Sequence, residues 1–389
     1  MWNKLLLAAP LATALLALPI RADESRELAV DGPGWQLDGE ARVGSHIDRA
    51  ALQLRTGNAV LEDVTMEDGT VELDLAVTPH RAFVYLKFRI QAEGEYETFY
   101  FRSHKSELPD AIQYTPVFQG ASNWQLYHGA GYTAATALPP ERWIPVKLVV
   151  QGDKAAVFVD DMVTPKIITS LVREPGPGKL ALGGFVPRQS APDGVDTANF
   201  SNIVVRPGVV DFTFPDDDPS PPPAGVVERW QVSAPFVSQH ESVPVEVPAE
   251  VSSGPWQALA TDATGLLVFD RHLERPATGP RRAVAARLIL DAEEAGRQRF
   301  DFGYSDRVSV LLNGELLMSG NATYSFNFPR RQGLIGLDQG TLYLPLAEGR
   351  NELVLIVDEV FGGWGLMGQF PEAEGFAVVA PTVTPAATP

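Results

Sequence analysis

The chain has 389 residues, more than one ordinary core accommodates and enough for two domains. Hydrophobic residues make up 45%, which excludes a disordered chain. Thirty-one Lys and Arg stand against 49 Asp and Glu, a net charge of −18. A surface of that sign repels phosphate backbones and anionic lipid, so the expected partners include no nucleic acid.

The N-terminus, "MWNKLLLAAPLATALLALPIRADES", has a lysine followed by an apolar run to Ile20. The run is short for a spanning helix and contains Pro10 and Pro19, and Ala22 offers a small residue before Asp23. We read residues 1–22 as a secretory signal peptide and expect no membrane span in the mature chain. Cysteine is absent, which removes a disulfide framework, a thiolate metal site and a lipoprotein anchor. The expected location is outside the cytoplasm of a bacterium: periplasm, cell surface or medium.

Downstream, short alternating runs are broken by Gly, Pro, Asn and Asp, the pattern of antiparallel sandwiches. "VELDLAV" sends Val71, Leu73, Leu75 and Val77 to one face, with Glu72 and Asp74 opposite. "VYLKFRI" sends Val84, Leu86, Phe88 and Ile90 inward, with Tyr85, Lys87 and Arg89 opposite. "YETFYFRSH" directs Phe99 and Phe101 inward; Tyr96, Thr98, Tyr100, Arg102 and His104 face the other way. Period two fixes these assignments within each strand. If the three strands share a sheet, its second face collects carboxylates, Tyr, Lys, Arg and His. Such a face is either ordinary solvent-facing surface or a sugar-binding one. Rings stack on pyranose C–H surfaces, and polar groups bond hydroxyls.

Residues 207–225 are rich in proline and acid, and we expect an extended, semi-rigid linker. Beyond it, "RVSVLLNGELLM" places Asn313-Gly314 between apolar runs, the chemistry of a type I′ hairpin turn. "NELVLIVDEV" reads as a strand buried on both faces. "FGGWG", Phe361 to Gly365, reads as a loop with two aromatics among glycines. Residues 380–389 read as a disordered tail. The expectation is all-β: two antiparallel β-sandwich (jelly-roll) domains at 23–206 and 226–379.

"YFRSHKSELPDAIQYTPVFQGASNWQLYHG", with "RWIPVKLVVQGDKAAVFVDD", "GKLALGGF" and "ANFSNIVV", resembles a bacterial group of concanavalin A-like jelly rolls. That group is related to laminin-G-like modules and to the 3-keto-disaccharide hydrolase, or family 16 glycoside hydrolase-like, domain. The resemblance covers roughly Gly34 to Pro207. "GYSDRVSVLLNG" to "GRNELVLIV" resembles the galactose-binding-like jelly rolls appended to glycosidases and esterases. Both resemblances imply contact with carbohydrate.

Family 16 glucanases carry Glu-x-Asp-x-(x)-Glu on one strand, two glutamates serving retaining chemistry. Glu72-Leu73-Asp74 begins that pattern, but Ala76 and Val77 stand where the second glutamate belongs. Six histidines show no His-x-His or His-Glu-x-x-His spacing. Asp216, Asp217 and Asp218 lack the spaced oxygen ligands of an EF-hand and read as a solvated charge run. Calcium held by loop carbonyls stays open, and no other cofactor is indicated.

The densest cluster of ligand-type side chains is Tyr100, Arg102, His104, Gln113, Tyr114, Trp124, Gln125 and Tyr127. The competing reading is that Trp124 and Tyr127 plug the sandwich. In region two, Ser305-Asp306 reads as a turn, and Phe361 and Trp364 are the contact candidates. The expected function is non-catalytic recognition of a glycan or glycoconjugate by the first sandwich. One alternative is hydrolysis of a modified (keto-) glycoside, as the resemblance implies, using an acid or base such as His104, Glu72 or Asp74, or a bound metal. The other is a structural or protein-interaction module of the cell envelope.

Overall fold

The computed structural model describes residues 25–190, 197–216, 221–238, 244–274, 282–324 and 333–379. The expected signal peptide, the tail 380–389, Asp217 and Asp218 lie outside the described residues. Among the described residues the chain is built almost wholly of antiparallel strands in four sheets, two in each half. No helix is long and apolar enough to cross a membrane among the described residues.

The first sheet runs Ile167–Ser170, Lys154–Val159, Ile144–Gln151, Gly69–Ala76, Ala198–Pro207, Arg49–Leu54 and Ala41–His46. The second runs Ala121–Ser122, Ile112–Phe118, Glu95–Phe101, Phe83–Ala92, Gly178–Phe185, Thr56–Met66 and Trp35–Leu37. Alternation explains why they pack. Leu73, Leu75, Leu148 and Phe200 of the first sheet meet Leu86, Phe88, Phe99 and Phe101 of the second in one core.

Two expectations need correction. The "VELDLAV" strand and the two strands after it belong to different sheets. Glu72 and Asp74 therefore lie on the outside of the first sheet, where Arg206 bonds Glu72 at 2.7 Å and Arg49 bonds Asp74 at 2.6 Å. They do not share a face with Tyr100 and Arg102. Alternation also stops after Phe88, where the register with Glu95–Phe101 shifts. Arg89 takes a positive φ of 48° there and turns inward, 1% exposed. Its guanidinium donates to the carbonyls of Glu67 at 2.8 Å and Gly152 at 2.6 Å, so the charge is spent on loop ends.

The proline-rich connection begins as a covering layer. Val210, Phe212 and Phe214 lie on the outer face of the first sheet, over Val149, Ala156 and Phe158. The Lys147 ammonium sits 4.2 Å above the Phe158 ring and 3.7 Å from Asp211.

In the second half one sheet runs Trp256–Ala260, Arg229–Ser233, Arg282–Ala292, Gly349–Asp358, Arg307–Leu312 and Glu315–Asn321. The other runs Leu267–Val268, Gly365–Gln369, Gly296–Ser305 and Gly340–Leu346. Trp230, Phe300, Phe302, Leu355 and Trp364 fill the core between them. The strand Gly349–Asp358 is buried on both faces as expected. Leu353, Leu355 and Val357 join that core, while Val354 and Ile356 pack with Val251, Ala283, Ala285 and Leu311 on the other side. Asn313 and Gly314 have φ of 52° and 83°, as a type I′ turn requires.

The halves dock through a mixed cluster. Phe118, Leu126 and Tyr127 of the first sandwich pack with Leu266, Val268 and Ile335 of the second. Around it, Gln119 donates its amide to the carbonyls of Asp270 at 2.9 Å and Leu273 at 2.7 Å. Gln125 N–H donates to Gly362 O at 2.9 Å, and Ile335 N–H to Gln125 O at 3.1 Å. His128 Nε2 lies 2.6 Å from Ile335 O. Apolar burial supplies the attraction, and the hydrogen bonds fix which residues meet.

Within the second core the Arg307 guanidinium bonds the fully buried Asp358 carboxylate at 2.9 Å, joining adjacent strands. Asp358 is fully buried, and removing its carboxylate breaks an ion pair formed inside the core. Asp358→Ala should therefore destabilise by about 3–5 kcal/mol in urea unfolding. A cost under about 1 kcal/mol would show that the pair is not isolated from water.

Candidate functional site

Where the sandwiches meet, a cleft of about 430 Å³ opens on the face of the second sheet. Its floor comes from adjacent strands: Phe83 and Tyr85 from one, Tyr100 from the next, Phe185 from a third. Phe83 and Tyr100 are 6.5 Å apart, Tyr85 and Tyr100 5.9 Å, Phe83 and Phe185 6.1 Å. Period two puts these side chains outward while their neighbours Val84, Leu86, Phe99 and Phe101 hold the core.

The second sandwich supplies the opposite wall. Trp124 meets Tyr324 edge-on at 5.5 Å, and Phe361 stands 6.3 Å from each. Phe361 is 57% exposed. Its approach depends on the two glycines after it. A Cβ on Gly362 would lie 2.4 Å from Gln125 Oε1 and 2.7 Å from Trp124 Nε1; one on Gly363 would meet Leu126 Cγ at 2.8 Å. Both glycines have positive φ, 98° and 133°. The glycine pair in "FGGWG" is thus a docking requirement.

The expected ligand residues divide. Tyr100, Arg102, His104 and Trp124 line the cleft. Gln113, Tyr114, Gln125 and Tyr127 are buried and face protein, which corrects their expected ligand contact. The Gln113 carbonyl accepts from Tyr100 OH at 2.6 Å and Arg102 at 3.0 Å; its amide donates to Trp124 O at 2.7 Å and Tyr127 O at 2.6 Å. All of its bonding capacity goes to protein groups, three of them in the cleft residues Tyr100, Arg102 and Trp124 and the fourth in Tyr127. Tyr114 sits in the core and donates to the buried Glu97 at 2.7 Å. Tyr127 plugs the junction. Gln125 lies between the sandwiches, its Oε1 3.1 Å from the Ser305 hydroxyl.

Arg81, Phe83, Tyr85, Lys105, Ser122, Phe185, Tyr324 and Phe361 complete the lining. The fold alone brings most of them there, although Phe83 and Phe185 carry the strand periodicity that selects this face. Of the region-two candidates, Phe361 lines the cleft, whereas Trp364 is a core residue, 1% exposed, bonding Val357 O at 3.2 Å. Ser305-Asp306 lies between the strands Gly296–Ser305 and Arg307–Leu312, and both residues are buried.

Two titratable groups are displaced here. His104 is pushed down to about 4, by burial first and then by the charges of Arg81, Arg102 and Lys105. It is a neutral imidazole at pH 7. Asp306 is pushed up to about 7, by burial first, with Glu359 adding repulsion. The Asp306 carboxylate accepts from the N–H groups of Val360 and Phe361, each at 2.6 Å, which oppose the rise and tether the Phe361 loop.

The adjoining groove, about 390 Å³, shares Tyr85, Ser122 and Phe185 with the cleft and continues past Asn58, Lys87 and Tyr96. Among the described residues no group of His, Asp or Glu is arranged to hold a metal ion.

No protein-family model matches the chain, and no curated protein matches it. Among solved structures, the carbohydrate binding module CBM66 from Bacillus subtilis is similar at 15% identity. That match covers 44% of this chain and 93% of the module, with TM-score 0.33. A Bacillus licheniformis beta-glucanase is similar at 13% identity, over 48% of this chain and 98% of the enzyme, with TM-score 0.34. The kappa-carrageenase from Pseudoalteromonas carrageenovora is similar at 15% identity, over 48% and 93%, with TM-score 0.32.

The displaced groups give opposite pH slopes. Between about pH 4 and 7 the folded chain keeps a proton on Asp306 that the unfolded chain releases, so this group's contribution to stability falls as pH rises. His104 acts the other way between about pH 4 and 6.5, where the unfolded chain takes up a proton and stability falls with falling pH. Asp306→Asn should gain stability relative to the parent as pH rises from 5 to 8, read as the difference in Tm. A constant difference would contradict the assignment. In a histidine NMR titration, the His104 ring should remain neutral down to about pH 4.

Proposed function

We propose that the protein recognises a glycan in the cleft between its two sandwiches, without cleaving it. The observation that carries this reading is the lining itself. Phe83, Tyr85, Tyr100, Trp124, Phe185, Tyr324 and Phe361 offer ring faces and edges to one space, with Arg81, Arg102, His104, Lys105 and Ser122 between them. Sugars present apolar C–H faces ringed by hydroxyls, and such a mixture of flat and hydrogen-bonding groups answers both. The volume falls within the range of small-ligand sites, and the adjoining groove gives a chain somewhere to continue.

Hydrolysis has less support. Two-carboxylate chemistry needs an acid and a second carboxylate facing the glycosidic bond. Among the described residues no carboxylate lines the cleft, and Glu72 and Asp74 are on the other sheet, ion-paired to arginines. The first sandwich holds the floor and the second supplies Tyr324 and Phe361, so the ligand engages both halves at once.

The test is calorimetry with a panel of oligosaccharides, alongside product analysis. Trp124→Ala and Phe361→Ala should each weaken binding by about tenfold or more, about 1.4 kcal/mol, with the oligosaccharide recovered intact. Unchanged binding in both variants would place the ligand elsewhere, and released shorter sugars would replace recognition by hydrolysis.

A further inference from the structure

The sign of the cleft is opposite to that of the chain. The whole sequence is acidic, at −18. Yet among the described residues the cleft is lined by Arg81, Arg102 and Lys105 and by no acidic residue. One carboxylate stands just behind them: Asp110 lies 3.2 Å from Arg102 and 2.6 Å from Lys105. Among the described residues this end of the cleft carries more positive than negative side chains, with Arg81 standing beyond the Arg102–Lys105–Asp110 group.

The cations are held in different ways. Arg102 is buried, fixed by Asp110 and Gln113, with its guanidinium 4.9 Å from the Tyr100 ring centre. Arg81 is exposed, its guanidinium 5.5 Å from the Phe83 ring centre, and no carboxylate pairs with it among the described residues. Stacking on the ring keeps that planar fork at the mouth while leaving donors for an incoming group. His104, between them, experiences the same field, since all three cations help hold its proton off. In the adjoining groove the Lys87 ammonium lies over Tyr96 at 4.9 Å and Tyr85 at 5.6 Å, bonded to Asn58 at 2.7 Å.

We infer that the cleft selects an acidic glycan, whose carboxylate or sulfate group meets Arg81 and the Arg102–Lys105 pair while its ring lies against the aromatic wall. This rests on the glycan reading above and names the chemical class of that ligand. A neutral sugar would find hydrogen-bond donors there but leave the positive charge uncompensated. An anionic sugar gains charge-assisted bonds in a partly desolvated space, and a planar carboxylate or a sulfate suits the guanidinium fork. The acidic remainder of the surface repels polyanions, so selectivity depends on this local patch.

Matched pairs test this with the full chain. Oligogalacturonate and its methyl ester share rings and linkages and differ in charge, as do dextran sulfate and dextran. In calorimetry at least one anionic member should bind ten times more tightly than its neutral partner, and the preference should shrink as salt rises. The pair that responds tells carboxylate from sulfate. Arg81→Gln, an exposed change expected to leave Tm unaltered, should remove most of that preference by weakening the anionic member far more than its neutral partner. Lys105→Gln is the second variant and should act in the same direction. Equal binding within both pairs overturns the acidic class and leaves glycan recognition standing. A preference that survives both variants overturns the assignment to this cleft. Failure of every charged and neutral glycan to bind overturns both readings.

Discussion

The architecture depends on one contact, the seating of the Asn123–Tyr127 loop of the first sandwich against the glycine-bearing loop of the second. Gln125 bonds Gly362 through the main chain, Leu126 packs under Gly363, and Tyr127 enters the shared apolar cluster. Trp124 belongs to the same five residues and is the one that stays half-exposed, turned toward Tyr324 and Phe361. Docking contacts and the proposed ligand wall are consecutive positions of one short segment. Gln113 reinforces this from inside, since its amide holds Trp124 O while its carbonyl holds Tyr100 and Arg102. The floor and the wall therefore share one buried side chain.

Much of the framework was legible in the sequence because strand periodicity is local. Val84, Leu86, Phe99 and Phe101 go inward as alternation demands, and Asn313-Gly314 turns as its residue types require. The limits of that reading are physical. Alternation assigns a residue to a face but does not say which strands share a sheet, so Glu72 was grouped with residues on the opposite side of the sandwich. Nor does it announce a bulge, so Arg89 was placed outside when its backbone turns it inward.

The site was legible in part for a similar reason. Tyr100, Arg102, His104 and Trp124 fall close together in sequence, and four of their companions, Gln113, Tyr114, Gln125 and Tyr127, fall there too. Residue type cannot tell a glutamine facing ligand from one that holds the residues facing ligand; only the count of its protein bonds does. Tyr324 and Phe361 lie some two hundred residues away and reach the cleft only through domain docking. Phe361 precedes two glycines in the sequence, and those glycines explain its position, since a Cβ on either would clash with the Asn123–Leu126 segment.

A wall contributed by each sandwich has a consequence for how such a protein can change. Modules on linkers are ordinarily exchanged as separate cassettes, each carrying its own specificity. Here the floor travels with one half and Tyr324 and Phe361 with the other. Swapping either half for a relative would keep each half's own core and discard the proposed binding surface. Selection on ligand preference would then act on the pair, with changes at Trp124 answered by changes in the Phe361 loop, and the heritable unit of specificity would be the junction.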